Sequence, residues 1–220
     1  MSAPLKAVGR PAILALPWRL RCDPWADPLT LYTIQSTAAF ERLRSDGELR
    51  GDPALGEEHF AEGYSWLSAQ VRDILGPHGV GEGMLWLWAR ERRRDLVDQL
   101  RVDRAEEVLL TVSVARERVL LTDFDDWHDV LNRRLHVPMR PGESHDDWWA
   151  RAEPLMDEWD ARVGQHRDQL LDSWPADLRA ELEASWLPIV APGPSPDARH
   201  VQATIRMIRL EDVVRAARVR

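Results

Sequence analysis

The chain has 220 residues, of which 30% are charged and 44% hydrophobic, with a formal net charge of −8. That balance fits one folded domain burying roughly 70% of its unfolded surface and excludes a disordered chain. The negative sign disfavours nucleic acid as a partner, although 28 of the 29 basic residues are Arg and a local Arg cluster can hold a phosphate. Cys22 is the only cysteine, so no intrachain disulfide forms and a cytoplasmic address is expected. The apolar run Ala12–Leu16, fenced by Pro11 and Pro17, is too short for a signal peptide or a bilayer span, so no membrane partner is expected.

Residues 1–28, punctuated by Pro4, Pro11, Pro17, Pro24 and Pro28, read as a Pro-rich tail, and residues 29–220 as a single domain. Leu29–Gln35 (LTLYTIQ) alternates and is rich in strand formers, which predicts a first strand. Ser36 or Thr37 caps a helix that ends near Gly47. Phe60, Tyr64, Leu67, Val71 and Ile74 then fall on one face of a second helix, stopped by Gly76-Pro77. The loop holding Gly79, Gly81 and Gly83 lacks the strand and helix of a dinucleotide fingerprint and reads as a flexible connector.

Met84–Ala89, Val108–Val114 and Val119–Leu121 read as strands, the last two joined by a hairpin-length loop, Ala115–Arg118. Asp123 caps the next helix. Ser144–Leu187 is helical by pattern, with breaks expected at Pro154 and at Trp174-Pro175, and Ala191–Pro196 is a loop. Val201–Ile208 alternates as a final strand, and Leu210–Val214 forms a closing turn or short helix. Strands and helices do not alternate strictly. The expected class is therefore α+β, with a mixed, mainly antiparallel sheet of about five strands and flanking helices.

Three groups of residues could carry chemistry. Asp123, Asp125, Asp126 and His128 (DFDDWH) could ligate a metal, but acidic groups in a first helical turn also oppose the macrodipole, and the segment reads as a helix start with no metal site. Eleven of the sixteen aromatic residues are Trp. Trp86 and Trp88 share a strand face and run into Arg90 and Arg92–Arg94, which suits a flat ring at one end and a phosphate at the other. The third group is polar: Thr33, Gln35 and Ser36 on the first strand, Gln202 and Thr204 on the last. Buried polar side chains are costly unless bonded, so a cleft is expected where they gather.

The segments LYTIQSTAAFERLRSDGEL (Leu31–Leu49), YSWLSAQV (Tyr64–Val71), VLLTDFDDWHDVLN (Val119–Asn132) and QATIRMIRLEDVV (Gln202–Val214), in that order, resemble the bacterial and archaeal family known as domain of unknown function 3841. That resemblance spans about Leu29 to Val214 and implies no particular activity. The opening strand and a helix ending at SDGEL are also similar in layout to small ADP-ribosyltransferase-like domains. This second likeness implies NAD as a substrate, with Thr33 and Gln202 as the catalytic pair and Gln35, Ser36, Trp86, Trp88 and Arg90 as cofactor-binding residues. Thr33 stands where those domains carry His or Arg, and Gln202 where they carry Glu. A Gln can hold ribose hydroxyls but cannot supply the carboxylate that stabilises positive charge on the ribose.

Two readings are left open: an ADP-ribosyltransferase-like NAD-binding protein, and a non-enzymatic binding module whose Trp/Arg surface takes a small nucleotide or a protein. The first requires Gln35 and Gln202 to converge on one cleft. Opposite faces of the sheet would rule it out.

Overall fold

The computed structural model describes residues 19–20, 23, 26–77, 83–92 and 107–219. Most of the Pro-rich stretch, with Trp18, Cys22 and Trp25, lies outside those residues, as do Gly79, Gly81, Arg93 and Arg94. In chain order the strands are β1 (Arg19–Leu20), β2 (Leu29–Ser36), β3 (Glu48–Arg50), β4 (Leu85–Arg92), β5 (Glu107–Val114), β6 (Leu120–Asp123), β7 (Val201–Ile205), β8 (Met207–Arg209) and β9 (Val213–Val219). The helices are α1 (Thr37–Asp46), α2 (Ala61–Leu75), α3 (Phe124–Leu131), α4 (His145–Val163) and α5 (Ala176–Val190). No helix among the described residues is long and apolar enough to cross a membrane.

The main sheet runs β6-β7-β4-β2-β5-β9, with β1 beside β4, and β3 and β8 form a separate pair. The expected α+β class holds. Every ladder among the described residues is antiparallel rather than mixed. The central strand is β2, which matches β5 from Leu29↔Val114 to Ser36↔Glu107. Its odd-numbered residues Leu29 and Leu31 face a core shared with Leu87, Leu110, Ala203 and α1, on what we call the first face. Even-numbered Tyr32 and Ile34 face the second, with Trp88 and Leu109. Further along that second face Leu120 and Trp86 meet Trp66, Trp127, Trp159 and Trp186 of the helices.

Local chemistry accounts for most element ends. Ser36 caps α1 by accepting from the Ala39 N–H at 3.1 Å. Gly47 closes it at φ 80°, where its N–H reaches the Leu43 carbonyl. Gly83 is not a loose connector. It bridges Gly51, and a Cβ on Gly51 would fall 2.4 Å from the Met84 carbonyl oxygen, so only glycine admits this approach.

Several expectations need correction. Arg19–Leu20, within the stretch read as a tail, pair with Arg92 and Glu91 of β4. The buried stripe of α2 is Gly63, Trp66, Leu67 and Val71; Ile74 is 46% exposed, and Phe60 precedes the helix. Pro154 does not break α4, because its fixed φ suits a helix and only one backbone bond is lost, whereas Pro175 does mark the start of α5. β5 and β6 form no hairpin. A 3₁₀ turn at Arg116–Arg118 sends the chain to the far edge, where β6 pairs with β7. The single strand read over Val201–Ile208 is two, since β8 leaves the sheet to pair with β3, and Val213 opens β9.

Candidate functional site

Antiparallel register places Thr122, Gln202, Trp88 and Tyr32 side by side across β6, β7, β4 and β2. The next row on the same face holds Leu120, Thr204 and Trp86. Helix α3 hangs directly from β6 and folds back over these rows. Its Phe124 ring meets Trp88 edge-on at 5.2 Å, and Trp127 lies 5.5 Å from Trp86. Tyr64 of α2 adds a third ring, 6.1 Å from Trp86.

Inside this aromatic cover, Thr122 Oγ1, Thr204 Oγ1 and Gln202 Oε1 are buried without a hydrogen-bond partner. Native proteins rarely leave such atoms unpaired, because each one costs free energy. The three lie on neighbouring strands, in two adjacent rows of one sheet face.

At the end of the rows stands a hydrogen-bonded His–Glu pair. His200, two residues before Gln202, places Nδ1 at 2.9 and 3.0 Å from the two carboxylate oxygens of Glu91. The Glu91 side chain is 2% exposed and that of His200 is 21% exposed. The His200 carbonyl accepts from the Phe124 N–H at 2.9 Å, which ties the pair to the first turn of α3.

Asp123 is the N-cap of α3 and accepts from the Asp125 N–H at 2.9 Å, so DFDDWH is a helix start as expected. Burial raises the Asp123 carboxyl above its ordinary value. Burial, followed by the nearby Asp123 carboxylate, pushes Asp126 up to about 6 from 3.8. An acid whose proton is held more tightly in the folded state stabilises the fold as pH falls from about 6 towards 4, and when ionised above 6 it is a net cost. Asp126→Asn should therefore stabilise the protein by about 1–2 kcal/mol at pH 7 and have little effect at pH 4, in urea unfolding at each pH. An equal gain at both would refute the shift.

The residues singled out in the sequence do not form one cleft. Thr33 donates to the Trp86 carbonyl at 3.0 Å and accepts from Gln35 Nε2 at 2.9 Å. Both lie on the first face, while Gln202, Trp86 and Trp88 lie on the second. The reason is parity: Gln202 is level with Tyr32, and Thr33 and Gln35 are one and three residues along the same strand. Ser36 is taken up in capping α1. Arg90 Nη1 holds the Pro196 and Ala198 carbonyls at 2.7 and 2.6 Å, so it braces the Pro-rich loop. Gln35 and Gln202 therefore do not converge on one cleft, and of the Trp–Arg group Trp88 is buried and Arg90 is bonded to the loop.

Sequence reasoning missed Glu91, His200 and Thr122. A signal for the first two was present: Glu91 is a lone acid between Arg90 and Arg92–Arg94, and His200 stands two residues before Gln202.

Fold and site together define an α+β domain: an antiparallel sheet with four helices over one face and a polar, aromatic-roofed patch beneath them. The model of the family described as domain of unknown function (DUF3841) matches residues 30–214, and the chain belongs to that family. No curated protein and no solved structure matches the chain.

Proposed function

We propose that this domain binds a small, flat, polar molecule of the nucleobase or nicotinamide type on the second face of its sheet. The observation that carries the proposal is the group of three neighbouring buried oxygens without partners, Thr122 Oγ1, Thr204 Oγ1 and Gln202 Oε1. A Gln amide offers a donor and an acceptor together, and a Thr hydroxyl can serve as either. These groups suit a ring edge bearing an amide or amidine. Trp88, Phe124 and Trp86 supply faces and edges against which such a ring can pack.

Calorimetry and thermal shift against NAD, nicotinamide, adenosine and other nucleosides test this. A bound compound raises the melting temperature by linkage. Gln202→Leu should weaken binding by about 1–2 kcal/mol, roughly tenfold, as loss of a polar contact does. The same change should leave the free protein at least as stable as before, because it removes a buried oxygen that has no partner. Absence of binding by every compound at millimolar concentration, with the protein folded, defeats the proposal.

A further inference from the structure

We infer that His200 is a proton-accepting group at this patch, oriented by Glu91, and that it acts on a hydroxyl of the bound molecule or on a water beside it. The inference rests on the ligand-binding reading above and adds a chemistry to it.

A carboxylate only accepts hydrogen bonds. With both Glu91 oxygens on Nδ1 at 2.9 and 3.0 Å, the neutral imidazole carries its proton there and keeps a lone pair on Nε2. Glu91 is fixed by burial, so the ring's orientation is set before any ligand arrives, while His200 itself reaches the surface. His200 lies immediately before β7, two residues from Gln202, and its carbonyl accepts from the Phe124 N–H at 2.9 Å, which holds it beside the aromatic cover.

The other histidines near α3 lack this combination. His136 also faces a carboxylate, Asp129 at 3.0 Å, but its side chain is 4% exposed, against 21% for His200. His128 places Nδ1 against the Phe124 carbonyl, with no carboxylate behind it.

In the proton step an O–H bond breaks and its electron pair stays on oxygen. The proton passes to His200 Nε2, and the imidazolium so formed is stabilised by Glu91 through the Nδ1–H. Glu91 is the positioning residue. The ligand class that fits is a flat heterocycle bearing a hydroxylated substituent, as a nucleoside does, with the ring at Gln202 and the hydroxyl at His200.

Diethyl pyrocarbonate modification, mapped residue by residue by mass spectrometry on the full chain, provides the test, with binding of adenosine and NAD followed in parallel by calorimetry. His200 should react several-fold faster than His136, and Glu91→Gln should slow His200 several-fold without changing the melting temperature by more than a few degrees. Nitrogen-15 NMR should find the wild-type ring as the Nδ1–H tautomer, a readout that packing alone would not set. A bound probe should shield His200, and Gln202→Leu should remove that shielding while His200 stays reactive. If His200 reacts no faster than His136, or carries its proton on Nε2, the proposal is overturned. A probe that binds and leaves His200 unshielded also overturns it, with the ligand-binding reading intact. If neither probe binds, that reading fails for this ligand class and the proposal falls with it.

Discussion

Asp212→Ala is expected to lower the free energy of unfolding by about 3–5 kcal/mol, the range for removing one member of a buried ion pair. Arg118 grips Asp212 with two hydrogen bonds, Nη1 to Oδ1 at 2.7 Å and Nη2 to Oδ2 at 2.8 Å. The carboxylate is 7% exposed and the guanidinium 24%. The hydrogen bond to Asp212 also raises the proton affinity of Arg118, the sign expected of a charge that the fold has committed to a partner. Asp212 accepts from the Arg209 N–H at 2.8 Å as well, and Arg118 Nη2 reaches the Met207 carbonyl at 3.2 Å. Truncation therefore strands a partly buried cation and a backbone donor together. Asp212→Asn keeps an oxygen for the Arg209 N–H and should recover part of the loss. Equilibrium urea unfolding of both variants decides the matter. A loss below about 1 kcal/mol for the alanine variant would show that water satisfies Arg118 there.

Leu67→Ala should cost about 2–5 kcal/mol, towards the upper end. Leu67 is fully buried among Trp66, Trp127, Trp186 and Val71. Large rigid rings close a cavity poorly, and Trp186 is held in place twice over. It stands edge-on to Trp66 at 5.5 Å and donates from Nε1 to the Arg134 carbonyl at 2.8 Å. Ile74→Ala, at a half-exposed position two turns further on, is the matched control and should cost under about 1 kcal/mol. Chemical unfolding with both probes separates the buried middle of α2 from its exposed C-terminal end. Similar losses at the two positions would mean that the end of the helix is packed as tightly as its middle.

The contrast within α2 shows where sequence periodicity stops being informative. A run such as Phe60, Tyr64, Leu67, Val71 and Ile74 fits a helical stripe, yet so does Gly63, Trp66, Leu67 and Val71, only about one residue round. Which of the two is buried depends on what packs opposite. Val130 and Leu131 of α3 come close to Gly63 and select the second. Strand alternation was legible in β2, β4 and β5, because each is half or fully buried with β-formers in phase. The partners of those strands were not, since pairing β7 between β4 and β6 is a long-range choice that no local pattern encodes. The same limit governed the site. Gln202, Trp86 and Trp88 do gather, but Thr33 and Gln35 are separated from them by the parity of strands paired far apart in sequence. His200 and Glu91 lie 109 residues apart, and only the fold brings a lone His to a lone Glu.

Among the described residues, strand β6 pairs with the main sheet only through β7. Helix α3 grows directly out of β6, so the roof of the polar patch is suspended from an edge strand whose ladder partner among the described residues is β7, residues 201–205. During synthesis the central strands β4, β2 and β5 can pair early, but β6 and its helix must wait for a segment made some eighty residues later. Contacts of such long sequence separation slow folding, because loop-closure entropy precedes their reward. The patch is thus among the last parts of the molecule to assemble. A nascent or C-terminally shortened chain would hold part of its sheet without any working site, and any binding activity would appear only when the chain is nearly whole.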